Sequence, residues 1–146
     1  QQEALLRFES FDNQTAWELG SSMVEELKRR DLKVCVAIWS LTGCVLFQYA
    51  AEGTAVNNQN WMTRKYNSVR LMERSSLASR VAEGLGGNSV EACGLDPRQY
   101  VFCGGGFPLY VNGEFRGAAI ISGLPHLKDH ALLCETVKAY WESKKK

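Results

Sequence analysis

The chain has 146 residues, and its charges almost cancel, with 17 Lys and Arg against 16 Asp and Glu. Near-neutrality argues against a large basic face for duplex nucleic acid, so no nucleic-acid partner is expected. A hydrophobic content of 45% with 23% charged residues excludes a disordered chain. No apolar run approaches the roughly 18 residues of a membrane span, so no membrane partner is expected either. With no repeat, linker or low-complexity tract, one domain over residues 1–146 is predicted.

The first helix is predicted from Asn13 to Arg30. Asp12 or Asn13 can cap it, and Phe11 stands where it can pack back onto it. Ala16, Trp17, Gly20, Met23, Val24 and Leu27 form its apolar stripe. Leu32–Trp39 and Cys44–Tyr49 then read as paired strands around the turn Ser40-Leu41-Thr42-Gly43. Val34, Val36 and Ile38 face one side and Cys35, Ala37 and Trp39 the other. Both sides are apolar, which predicts a strand buried on both faces.

Residues 50–60 read as loop. A long helical region follows from about Asn58 to Leu85, with a break at Ser75-Ser76 and glycines 84, 86 and 87 at its end. Asp96-Pro97 marks a turn or a helix start. Leu109–Val111 and Phe115–Ser122 form a hairpin around Asn112-Gly113, the pair favoured by a type I′ turn. Pro108 cannot donate to a ladder and is placed at a strand end or sheet edge. Pro125 opens a last helix that runs to about Glu142, with Leu133, Cys134, Val137, Tyr140 and Trp141 inward. This element order predicts an α+β fold with an antiparallel sheet.

The five cysteines include no Cys-x-x-Cys pair, so neither a zinc knuckle nor a disulfide framework is expected. Cys35, Cys44 and Cys134 read as small core residues. Cys103, beside Gly104, is the most suggestive thiol. A reducing, cytoplasmic compartment follows. Gln1–Leu6 has no leader pattern, and Lys144–Lys146 reads as a frayed end.

Three segments carry candidate chemistry. Gly104-Gly105-Gly106-Phe107-Pro108 is either an anion-cradling loop or a strained turn into a strand. Positive φ, or a backbone approach too close for a Cβ, is expected at Gly105. Ser122 to His130 joins a strand to a helix start, and free N–H groups there attract anions. His126 and His130 lie four apart, but two histidines without a third ligand do not make a metal site. Arg64, Asn67, Arg70 and Arg74 recur every three or four residues as a polar, cationic strip, with Lys65 beside it; it is either a ligand contact or a solvated face.

Four motifs stand in order along the chain. They are Phe11-Asp12-Asn13 with Ala16 and Leu19-Gly20; Trp61, Arg64, Lys65, Asn67 and Val69 with Ser75-Ser76; Gly-Gly-Gly-Phe-Pro at 104–108; and Ser122-Gly123-Leu124-Pro125 with Asp129-His130. Together they resemble the haem-degrading-domain (GlcG/HbpS-like) family, closest to its branch of small cytoplasmic proteins. The resemblance covers nearly the whole chain. It implies a profilin-like α/β/α arrangement, an antiparallel sheet with helices on both faces, assembled as a homo-oligomer. This chain departs from the pattern at Cys103 and at Glu73-Arg74, where many members have His.

The function implied is an oligomeric binding protein for a small anionic ligand, with haem as one possible cofactor. Gly104, Gly105 and Gly106 would supply backbone donors, with Pro108 closing the loop. Arg64 or Lys65 would neutralise carboxylates, with Asn67 alongside. Trp61 or Phe107 would stack on a flat ligand, and His130 would be the axial ligand. A protein-interaction module is the alternative. An enzyme using Asp129 and His130 as an acid–base pair ranks third, because adjacent helical residues point about 100° apart.

Overall fold

The computed structural model describes residues 5–145. The first four residues, read above for a leader, and Lys146 of the terminal lysine run lie outside them. The strands are β1 (Arg7–Phe8), β2 (Cys35–Ser40), β3 (Val45–Ala50), β4 (Gly106–Val111) and β5 (Glu114–Ser122). The helices are α1 (Asn13–Arg29), α2 (Val56–Met72), α3 (Ser76–Gly84) and α4 (His126–Lys144). The strands form one sheet in the order β1-β4-β5-β2-β3.

The fold is α+β, as the element order predicts, but the sheet is mixed. β2–β3, β2–β5 and β4–β5 are antiparallel, whereas β1 pairs in parallel with β4 through Arg7↔Tyr110 and Phe8↔Val111. Two residues leave no alternation to read, so β1 has no sequence signature. Pro108 pairs with Ala118 of β5, and β1 reaches only Tyr110 and Val111, so the missing N–H of Pro108 interrupts no ladder on that side.

Helices cover both faces of the sheet. Val34, Val36, Ile38, Ala119 and Ile121 pack beneath α1 and α4 in the larger core. Cys35, Ala37, Ala118 and Ile120 face Met62, Tyr66 and Val69 of α2. β2 is therefore buried on both sides, as its apolar alternation requires.

Asp12 caps α1, its Oδ1 accepting from the Thr15 amide at 2.8 Å. Trp17, expected in the apolar stripe, instead lies off the buried face and is 59% exposed, with its ring against Phe47; Leu19, not expected there, is fully buried. Cys44 is exposed in the β2–β3 turn rather than in the core, whereas Cys35 and Cys134 are buried. The expected break between α2 and α3 falls at Glu73, whose φ of 54° stops α2, and Ser75 caps α3 through the Ala78 amide. Residues 88–105 form turns without a helix or strand. Asn112 and Gly113 both have positive φ, as a type I′ turn needs.

Candidate functional site

The chain end of β5 and the start of α4 carry the polar chemistry. β5 lies in the middle of the sheet, and α4 leaves its end to cross to the α1 face. Asp129, in the first turn of α4, turns back toward α2 and meets Lys65. The Lys65 ammonium donates to Asp129 Oδ2 and to the Ile121 carbonyl, both at 2.9 Å. Asp129 Oδ1 accepts from the Leu124 amide at 2.9 Å. Both side chains are almost wholly buried, at 3% and 2% exposure. Burial raises the Asp129 pKa above the ordinary carboxylate value, outweighing the opposing pull of the Lys65 ammonium and the amide hydrogen bonds. Lys65 falls on the inward Met62–Tyr66–Val69 side of α2, so the helix delivers its charge into the interior.

Above this pair lies a cleft of about 410 Å³. One wall is the first two turns of α2, with Asn57, Asn58 and Trp61. The other is Ser122 through His126, and Cys103 closes one end. Lys65 and Asp129 form part of its lining. His126 Nδ1 accepts from the Gly104 amide at 3.2 Å, so the neutral ring keeps its proton on Nε2. The volume falls in the range of small-molecule sites.

Comparison with known proteins agrees with this architecture. The family model described as haem degrading protein HbpS-like matches residues 11–138. The chain belongs to the HbpS-like family. A UPF0303 protein of Azotobacter vinelandii is 40% identical over 98% of this chain and 87% of its own length. A UPF0303 protein of Edwardsiella ictaluri is also 40% identical, over 95% and 89%. Among solved structures, the Ybr137w protein superimposes with a TM-score of 0.86 at 22% identity, covering 99% of this chain and 86% of its own. A structure described as a PduOC–haem complex gives 0.72 at 19% identity, covering 89% and 93%. At these identities the structural likeness speaks to the fold.

Within this HbpS-like chain, the predicted site residues divide. Trp61, Lys65 and Asp129 line the cleft. The triple glycine instead fills a crowded crossing. A Cβ on Gly104 would lie 2.5 Å from the His126 carbonyl oxygen, and one on Gly106 would lie 2.9 Å from Val69 Cγ2. The Gly104 and Gly106 amides are taken by His126 Nδ1 and Ser76 Oγ, so neither is left for a ligand. Gly105 has φ +124°. Phe107 is fully buried in the α1–α4 core and cannot stack on a ligand, and Pro108 is buried in β4.

His130 is 7% exposed and packs on Phe107, its ring centroid 4.8 Å away. It lies outside the cleft lining, while Asp129 faces Lys65, so the two do not act on one proton. The α2 polar strip holds its own chain. Arg64 stacks on Trp61 and donates to the Pro97 carbonyl at 2.8 Å, and Asn67 donates to Gln99 at 2.8 Å. These bonds fasten the turns of residues 97–101, which have no ladder of their own. Arg74 donates to Ser79 Oγ.

Sequence reasoning left Asn57 in a loop and Asn58 at a helix start, and it gave Ser122 and His126 no binding role although both stand in a segment singled out for anion attraction. One signal was present. Ser122 ends the run Gly117-Ala118-Ala119-Ile120-Ile121, at a position that shares the inward face of Ala118 and Ile120.

Proposed function

We propose that this protein binds a small anionic molecule in the cleft between α2 and the start of α4, and that it does so as a cytoplasmic homo-oligomer. The observation that carries the reading is the cleft itself, with a buried ammonium group at its floor and the N-terminus of a 19-residue helix in its wall. Pro125 gives that helix no side-chain cap; the Lys128 amide donates to the Pro125 carbonyl, and the His126 and Leu127 amides are open to an anion. Five free cysteines suit a reducing compartment. Oligomerisation is supported by the edge strand β3, which carries no charged residue, by its first residue Val45 and by Trp17 beside it, each more than half exposed.

The test is a titration of ¹⁵N-labelled protein with mixtures of small acidic, basic and neutral fragments. Saturable shifts confined to the amides of residues 57–65 and 122–129 are expected. Their absence for every fragment refutes the reading.

Haem binding is the second reading. The HbpS-like family name and the PduOC–haem complex favour it, and Cys103 gives it an axial donor in the cleft. The histidines suit it less. His130 lies outside the lining, and His126 Nδ1 is engaged, leaving a protonated Nε2. Haem would supply an iron centre, which Cys103 Sγ would hold, and Lys65 would be the cation for its carboxylates. A one-to-one titration whose Soret band changes in Cys103→Ala but not in His130→Ala supports this reading. Superimposable curves for the wild type and both variants refute it.

A further inference from the structure

We propose that the cleft is a carboxylate-binding site whose ligand places a planar carboxylate against the Ser122 hydroxyl and the Lys65 ammonium. The inference rests on the small-molecule reading of the cleft and names the group that the cleft recognises.

Ser122 is 3% exposed and lines the cleft, yet its hydroxyl has no hydrogen-bond partner among the described residues. The hydroxyl opens on the cleft rather than being sealed in the core, so a ligand oxygen can reach it and take the hydrogen bond that no described residue takes. Lys65 has three N–H donors. Asp129 and the Ile121 carbonyl take two, and one remains.

Three other lining side chains follow the same pattern, with acceptors engaged and, at Asn58 and His126, donors left over. Asn58 Oδ1 accepts from the Ala55 amide, which leaves its NH₂ group. His126 Nδ1 accepts from Gly104, which leaves Nε2–H. Asp129 Oδ1 and Oδ2 accept from Leu124 and Lys65. A lining that offers mainly donors selects a ligand rich in acceptor oxygen.

Charge narrows the class. Lys65 is already balanced by Asp129, so the cleft adds only the partial positive end of α4. That suits one negative charge and not the two of a phosphate. Trp61, whose ring is held by the Arg64 guanidinium 4.5 Å above it, gives the wall an aromatic surface for a flat ligand body. An aromatic monocarboxylate meets all of these features.

The experiment titrates the ¹⁵N-labelled chain separately with benzoate, benzamide, benzylamine and inorganic phosphate, reading the Gly123, Leu124 and His126 amides. Benzoate is expected to bind about tenfold more tightly than benzamide or benzylamine, as a charge-assisted pair requires. Phosphate is expected not to displace it at equal concentration. Ser122→Ala is expected to weaken benzoate roughly fivefold without moving the melting temperature. Equal binding of benzamide or benzylamine, displacement by phosphate, or unchanged affinity in Ser122→Ala overturns the carboxylate assignment. The wild-type series decides the matter even if the variant folds poorly. Benzoate failing while other fragments still shift the cleft amides overturns this inference alone; no fragment of any kind binding there overturns the parent reading as well.

Discussion

Replacing Gly105 by alanine is expected to cost far more than the loss of a flexible residue. Its φ of +124° is a conformation that side chains rarely adopt, which sets a cost of about 1–3 kcal/mol. The new Cβ would also lie 2.6 Å from the Ile121 carbonyl oxygen and 2.6 Å from Lys65 Nζ. The carbonyl belongs to a central strand, and it accepts the Lys65 hydrogen bond. Relief therefore comes from Lys65, which must leave its acceptors. Losing one charge-assisted hydrogen bond adds about 1.5–3 kcal/mol. The total is about 2.5–6 kcal/mol, or a fall of about 8–20 °C in melting temperature for a chain of this size.

Gly53→Ala is the control. Gly53 also has positive φ, at +91°, but nothing lies within 4 Å of its Cβ position. It should lose only about 1–2 kcal/mol, the backbone share. Urea unfolding of both variants followed by circular dichroism measures the difference. Equal losses in the two would refute the close-approach argument.

Gly20→Ala, which would stabilise an isolated helix by about 1 kcal/mol, should instead destabilise this protein by about 1–3 kcal/mol. Its Cβ would fall 2.3 Å from Phe47 Cγ, and a raised urea midpoint would contradict the overpacking. Asp129, with its pKa raised by burial, adds stability that is fully present below its ordinary value of 3.8 and lost as pH rises through the raised native value. The stability of the wild type relative to Asp129→Asn should therefore fall as pH climbs above the ordinary value of 3.8. Paired urea titrations from that pH upward test it, and a pH-independent difference defeats it.

The helices and long strands were legible because each buries a periodic face. Met23 and Leu27 mark the core side of α1, and Val34, Val36 and Ile38 mark one side of β2. Trp17 misled because it is large and apolar and stands next to Ala16, yet it lies about 200° around the helix from Leu19, which faces the core. The glycine loop was legible as a place of backbone constraint, but its cause was not. Its crowding comes from α2, α3, β5 and α4, none of them adjacent to it in sequence. The cleft was half legible for a similar reason. Trp61, Lys65 and Asp129 stand in motifs, whereas Arg64 and Asn67 share a motif with Lys65 but turn outward to the chain at Pro97 and Gln99. A helix turns about 100° per residue, so neighbours in one motif serve different partners.

The buried bond between Lys65 and Asp129 joins residues 64 positions apart. It has a consequence for synthesis. The ribosome joins the residues of α2 and of all five strands before it adds Asp129. Until α4 arrives, Lys65 has no counter-charge, and the cleft has no second wall. Docking of the last helix supplies both at once. A chain that stops short of Asp129 keeps the residues of every strand but holds an unmatched ammonium where the finished protein holds a pair. Loss of the C-terminal helix would thus remove the binding site and leave a charge stranded on the sheet's inner face, a mark by which an incomplete product differs from a complete one.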